Sequence, residues 1–153
     1  MTFQVAHPLV IRPYQPEDQP RLLEIWHAAS ALGHLFLGVE RLEAQKKLVS
    51  DVYLPQAETF VAGRSTALLG FIGLLDSFIG GLFVDPACHR QGVGGALVRH
   101  AQALKRELSL NVYEANAGAR AFYARLGFVE TGRQDKDDEG LPFPILRMTS
   151  QPK

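Results

Sequence analysis

Three glycines stand close together in the segment HRQGVGGAL, residues 89–97, which follows shortly after the apolar run GLFVDP. Glycine loses more backbone entropy on folding than any other residue, so such a cluster needs a reason. A helix that begins on this turn leaves its first N–H groups free, and the missing side chains let an anion come close. The segment therefore predicts a turn that binds phosphate.

Two common phosphate loops can be compared with this segment. The P-loop motif requires a Gly-Lys pair, and the chain contains none. The dinucleotide motif G-x-G-x-x-G begins correctly with Gly92 and Gly94, but Leu97 stands at its third glycine. Because Glu114 lies about twenty residues further on, where that motif has a ribose-binding acid, dinucleotide binding stays open as the weaker alternative.

The strands and helices that must hold this turn follow from the hydrophobic pattern. Apolar runs of strand length predict seven strands: LVIRPY, ETFVAGR, TALLGFIGLL, SFIGGLFVD, LSLNVY, FVETGR and PILRMT. Helical spacing predicts four helices, one from Glu17 and three over VERLEAQKKLVSDVYL, VGGALVRHAQALKREL and NAGARAFYARLG. The apolar stretch around Asp76 suits a hairpin better than a membrane-spanning helix. Because no linker divides the chain, we expect one α/β domain over residues 1–153.

The composition narrows the classes of function. Sixteen basic residues balance sixteen acidic ones, so no overall field favours nucleic acid or an anionic membrane as a partner. The single cysteine, Cys88, excludes an intrachain disulfide, and with five scattered histidines it predicts no metal site. The start MTFQVAHPLV lacks the pattern of a signal peptide. We therefore expect a cytoplasmic protein, either a monomer or a homodimer.

Two segments carry a resemblance to a known family. GLFVDPACHRQGVGGALV, followed by NxxAxxFYxxxGF at residues 116–128, resembles the GNAT (GCN5-related N-acetyltransferase) superfamily. The segments EIW, HLFLG and TGRxxxDDxGxPxPxL resemble its small bacterial YjaB-type members. The resemblance implies the GNAT fold, an α+β domain whose mixed, mostly antiparallel sheet of six to seven strands splays between strands 4 and 5, flanked by four helices. It also implies an acetyl-CoA-dependent N-acetyltransferase that acts on a primary amine by direct transfer in a ternary complex.

The resemblance places acetyl-CoA along two segments. The pyrophosphate is expected on the glycine turn, formed by His89, Arg90, Gln91, Gly92, Val93, Gly94 and Gly95. The pantetheine arm is expected along the strand edge Leu82, Phe83 and Val84, where Gly80 and Gly81 suit a bulge that aims an amide at the thioester carbonyl. Asn111 is expected to face the splay. His89 stands where the family pattern has Arg or Gln, and this departure favours the alternative function, a non-catalytic domain that binds or senses acyl-CoA.

The residues expected to act in the transfer follow from the same resemblance. Tyr123 stands at the position of the family's usual general acid, and a phenol with a pKa of about 10 can protonate a departing thiolate. Asn116 lies seven residues earlier on the same helical face, so both residues are expected at the pantetheine end. Each has a structural alternative, an N-cap for Asn116 and core packing for Tyr123. The general base is left open between Glu114, His34, Glu40 and a water chain.

The acceptor amine is less defined than the donor. A small amine and a peptide or protein amine both agree with the sequence. The acidic loop formed by Asp135, Asp137, Asp138 and Glu139 is a candidate for attracting a cationic amine, and a merely solvated loop is the alternative.

Overall fold

The structure is a computed structural model that describes residues 8–33, 57–88, 91–138 and 140–150. Its sheet has seven strands in the order β1-β2-β3-β4-β5-β7-β6. The strands are β1 (Val10–Pro13), β2 (Glu58–Arg64), β3 (Ala67–Leu75), β4 (Phe78–Val84), β5 (Leu108–Tyr113), β6 (Val129–Gln134) and β7 (Ile145–Ser150). The helices are α1 (Gln19–Gly33), α2 (Val93–Leu104) and α3 (Ala117–Arg125), with short 3-10 turns at Pro16–Asp18 and Pro86–Cys88.

The predicted elements agree with this architecture. All seven predicted strands are present, and the stretch around Asp76 is the hairpin β3–β4. Three of the four predicted helices are present, and the one predicted over VERLEAQKKLVSDVYL lies outside the described residues. The predicted α+β class with a splayed mixed sheet is therefore confirmed.

Two layers of helix cover the sheet because strand side chains alternate between its faces. Val61 and Phe71 lie in a buried cluster with Leu22, Ile25 and Trp26 of α1. Their neighbours on the same strands, which include Ala62 and Ile72, lie in a second cluster with the buried face of α2. Among the described residues, no helix has both the length and the apolar character that a membrane span requires.

The splay of the sheet begins at Gly80. Strands β4 and β5 are parallel and pair only at Phe78↔Ser109 and Ile79↔Leu110. Between β3 and β4 the register passes from Gly73↔Gly81 to Leu74↔Ile79, so Gly80 is the extra residue of a bulge. A bulge bends its strand and increases the local twist, which explains why β4 leaves β5 at this point. The bulge expected at Gly80 and Gly81 is confirmed.

Candidate active site

A cavity of about 430 Å³ lies in the gap between β4 and β5. Five residues that the sequence predicted for the site line it together: Leu82, Phe83, Asn111, Asn116 and Tyr123. Leu82 and Phe83 belong to β4 and Asn111 to β5, while Asn116 is the N-cap of α3 and Tyr123 lies near the end of that helix. Among the described strands, nothing pairs with the side of β4 that faces β5 after Ile79. Backbone groups on that edge are therefore free to hydrogen-bond an extended ligand, as an added strand would.

Tyr123 belongs to both the core and the cavity. The residue is 9% exposed, and its ring packs edge to face against Phe122 and Phe128 at centroid distances of 5.0 and 5.5 Å. Burial raises the pKa of Tyr123 above its ordinary value. The phenol therefore remains protonated at neutral pH, which is the state that a proton donor needs.

Asn116 fixes the start of α3. Its Oδ1 accepts a hydrogen bond from Ala119 N at 3.1 Å, and its own N–H donates to Tyr113 O at 2.9 Å. The N-cap role suggested by the sequence is confirmed. Because Asn116 also lines the cavity, capping and a place in the site occur together.

The glycine turn opens α2 without a side-chain cap. Gly92 is the N-cap at φ +80°, in the left-handed region that favours glycine. The first helical bond runs from Ala96 N to Gly92 O at 3.0 Å, so the N–H groups of Val93, Gly94 and Gly95 have no partner within the helix. These groups and the helix dipole favour an anion here. His89 and Arg90 lie outside the described residues.

Two guanidinium groups that the sequence analysis missed flank this turn. Arg64, at the end of β2, donates from Nη1 to Gln91 Oε1 at 3.3 Å. Arg99 lies beside Gly95, because a Cβ placed on that glycine would stand 3.5 Å from Arg99 Nη1. The i, i+4 spacing of Gly95 and Arg99 is a local signal that could have identified the second. The contact of Arg64 joins residues 27 positions apart and has no such signal.

Asp85 holds the connection between β4 and the glycine turn. Its Oδ1 accepts from Ala87 N at 3.0 Å, and its Oδ2 accepts from Arg21 Nη2 at 2.7 Å. These two hydrogen bonds hold the pKa of the Asp85 carboxyl below its ordinary value. Its backbone also bonds to Leu69 O and Cys88 N. The path from Val84, beyond the cavity lining, to the turn is thus anchored to both β3 and α1.

One candidate base, Glu114, can be placed in the structure. Glu114 does not line the cavity, and its carboxylate accepts from Arg133 Nη2 at 3.1 Å. His34 and Glu40 lie outside the described residues. Asp138, which the sequence placed only in an acidic loop, does line the cavity. In the described part of the chain, no three His, Cys, Asp or Glu side chains group as metal ligands would.

Comparison with known proteins gives consistent matches. Residues 55–130 match the acetyltransferase (GNAT) domain family. The peptidyl-lysine N-acetyltransferase YjaB of Salmonella typhimurium is 37% identical over 139 residues, which cover 90% of this chain and 95% of that protein. The solution structure of apo-form YjaB from Escherichia coli has a TM-score of 0.86 at 35% identity and covers 95% of this chain and 99% of the other.

A more distant structure shares the fold. PaiA N-acetyltransferase from Thermoplasma acidophilum, solved in complex with coenzyme A, has a TM-score of 0.77 at 19% identity and covers 94% of this chain and 99% of that one. The first relatives are similar along nearly their whole length, and the splayed sheet and the glycine turn occur where the resemblance implied them. The chain therefore belongs to the GNAT family of N-acetyltransferases and is an enzyme of that class.

Proposed function

We propose that the protein transfers an acetyl group from acetyl-CoA to the side-chain amine of a lysine in a peptide or protein, by direct transfer in a ternary complex. The observation that carries this proposal is the gap between β4 and β5, where an unpaired strand edge and the Tyr123 ring line one cavity. The relatives named as peptidyl-lysine N-acetyltransferases, at 37% identity, support lysine as the acceptor.

The described residues fit acetyl-CoA at both ends. The free N–H groups of Val93, Gly94 and Gly95 and the guanidinium of Arg64 suit the pyrophosphate. The edge Leu82-Phe83-Val84 leads from the cavity toward that turn and suits the amides of the pantetheine arm. Gln91 and Gly92 complete the turn, with His89 and Arg90 proposed beside them.

Acetyl-CoA supplies an activated thioester. A backbone N–H of the Leu82–Val84 stretch polarises the thioester carbonyl, as oxyanion donors do. The neutral amine forms the new N–C bond, the C–S bond breaks with its electron pair on sulfur, and Tyr123 gives its proton to that thiolate. Asn116 holds the start of α3, and so the helix that carries Tyr123, against the end of β5.

The proton of the acceptor amine leaves by Glu114, His34, Glu40 or water. The ion pair of Glu114 with Arg133 and its place outside the cavity lining make Glu114 the less suitable base. We propose water leading from the cavity mouth as the route, with His34 as the side chain to test first. We also propose a single domain that acts in the cytoplasm.

The alternative is a domain that binds or senses acyl-CoA without transfer. One observation favours it: Asn116 caps a helix and the ring of Tyr123 packs in the core. These structural roles explain both residues without catalysis. The two proposals differ in whether CoA is released when an amine is added.

The experiment measures transfer to a lysine peptide with a blocked N-terminus, by CoA release and by the mass of the peptide. A matched peptide with arginine in place of lysine is the control, and a second peptide offers only a free N-terminus. Acetylation of the lysine side chain supports the proposal. Acetyl-CoA binding by calorimetry without transfer to any of these amines contradicts it and supports the sensing domain.

A further inference from the structure

The loop between β6 and β7 is built around a buried aspartate. Asp137 is 5% exposed, and its Oδ1 accepts from Leu141 N at 2.9 Å. Its backbone N–H donates to Leu141 O at 3.0 Å, and its carbonyl accepts from Gly140 N at 2.9 Å. These bonds tie Asp137 to Gly140 and Leu141. The next residue, Asp138, is exposed and lines the cavity between β4 and β5.

This loop stands over the β5 side of the cavity. Glu114, directly after β5, donates its N–H to Pro144 O at 2.9 Å, and Tyr113 pairs with Ile145. The bulge and the free strand edge proposed for the acyl donor belong to β4, on the opposite wall. Asp138 is therefore placed on the wall that remains for the acceptor.

The charge of Asp138 is not neutralised in the part of the chain that the structure describes. Asp135 and Glu114 share the guanidinium of Arg133. Asp138 Oδ1 instead accepts from the neutral amide of Gln134, with Nε2 at 3.3 Å. Asp138 is also the one acidic or basic side chain among the described residues that line the cavity.

The guanidinium of Arg147 does not neutralise the carboxylate of Asp138. Arg147 donates to Ser109 Oγ at 3.0 Å, and its guanidinium lies 5.9 Å from the centre of the Phe78 ring. Phe78 and Ser109 form the pair at the closed end of the gap, and Arg147 itself does not line the cavity. Among the described residues that line the cavity, the carboxylate of Asp138 is thus left without a neighbouring cation.

We infer that Asp138 is the specificity-determining residue that draws a positively charged acceptor, the protonated lysine side chain, into the cavity before its deprotonation. The inference rests on the proposed transfer to lysine. A carboxylate about 4 Å from an ammonium attracts it measurably even in water, and more strongly in a partly enclosed cleft. An uncharged amine gains no charge attraction from this contact.

The test compares Asp138→Asn with Asp135→Asn, an acidic residue of the same loop that is paired with Arg133 and does not line the cavity. The acceptors are a lysine peptide and the same peptide with an aminooxy group in place of the side-chain amine. The aminooxy group is uncharged at neutral pH.

We expect Asp138→Asn to raise KM for the lysine peptide about five- to tenfold at low salt. The kcat, the KM for acetyl-CoA and both constants for the aminooxy peptide should stay within about twofold of the parent, well inside that effect. The difference should shrink in about 0.5 M salt because screening weakens exposed charge pairs.

The outcomes separate the inference from the function on which it rests. If the parent acetylates the lysine peptide and Asp138→Asn has the parent's KM, or loses both acceptors equally, the inference is wrong and the proposed function stands. If the parent binds acetyl-CoA but acetylates neither peptide, the proposed function fails and the inference fails with it. Asp138→Ser replaces Asp138→Asn should the latter not fold, which thermal unfolding will show.

Discussion

A Cβ atom placed on Gly94 would lie 3.2 Å from the ring of Phe122, so α2 and α3 come into close contact where α2 begins. The same atom would lie 3.5 Å from Val84, the last residue of β4. The glycines of the turn are therefore required for different structural reasons. Gly92 supplies a left-handed backbone conformation, whereas Gly94 allows a helix, a strand and a second helix to meet.

We predict that Gly94→Val lowers the stability of the free protein. The branched side chain has to displace Phe122 or Val84, and such overpacking typically costs about 1–3 kcal/mol. Gly95→Ala is the matched control, because its Cβ would meet only the flexible end of Arg99 at 3.5 Å and alanine favours a helix. Thermal unfolding without ligand measures both variants. A Gly94→Val protein with the parent's Tm would contradict the packing assigned to this contact.

We predict that Arg64→Gln weakens acetyl-CoA binding without unfolding the protein. Among the described residues of the glycine turn, Arg64 contacts Gln91, so we expect the loss of one charge-assisted contact, up to about tenfold in Kd. Arg106→Gln removes an exposed charge after α2 and serves as the control. Calorimetric titration at two salt concentrations should show a smaller salt dependence for Arg64→Gln. Equal affinity and equal salt dependence in both variants would place Arg64 outside the binding site.

We predict that Tyr123→Phe lowers kcat by about 10²- to 10⁴-fold, the usual contribution of a general acid. The ring contacts with Phe122 and Phe128 are retained, so KM for acetyl-CoA and the Tm should change little. The loss should be smaller with an acyl donor whose thiol is more acidic, because that thiolate needs less protonation. Tyr14→Phe, beside α1 and outside the cavity lining, is the control in steady-state CoA release. A Tyr123→Phe enzyme within about twofold of the parent's kcat would return this tyrosine to a purely structural role.

We predict that Asp85→Asn is destabilising at neutral pH and nearly neutral in acid. The folded protein lowers the pKa of Asp85, so its contribution is present above the ordinary carboxyl pKa and is lost as the pH falls through the lowered value. At pH 7 we expect a loss of about 1 kcal/mol, the size of a partly exposed ion pair with a backbone hydrogen bond. Urea unfolding at pH 7 and near pH 2 measures it, with Glu107→Gln as an exposed control. A cost that is the same at both pH values would show that the carboxylate charge is not what holds this connection.

The sequence by itself determined the elements and the local features of the site. Seven strands, the hairpin turn after Leu75, the helix that begins at Val93 and the cap at Asn116 all agree with the structure. Each depends on residues only a few positions apart, because periodicity, capping and turn conformation act within one or two turns of the chain. For the same reason the glycine turn could be predicted as an anion site from neighbouring residues alone, and its ligand stays a prediction.

The tertiary structure decided which side chains meet. The bulge at Gly80 opens the gap that brings Asn111 and Tyr123 to one cavity, while Glu114 pairs with Arg133 outside the cavity lining. Arg64 reaches Gln91, and Asp138 reaches the cavity mouth. These contacts depend on the strand order β4-β5-β7-β6 and on the point where pairing stops. Neither the strand order nor the end of the pairing can be predicted from a local pattern. A pattern of a few residues indicates which face of an element is buried, but not which distant element covers that face.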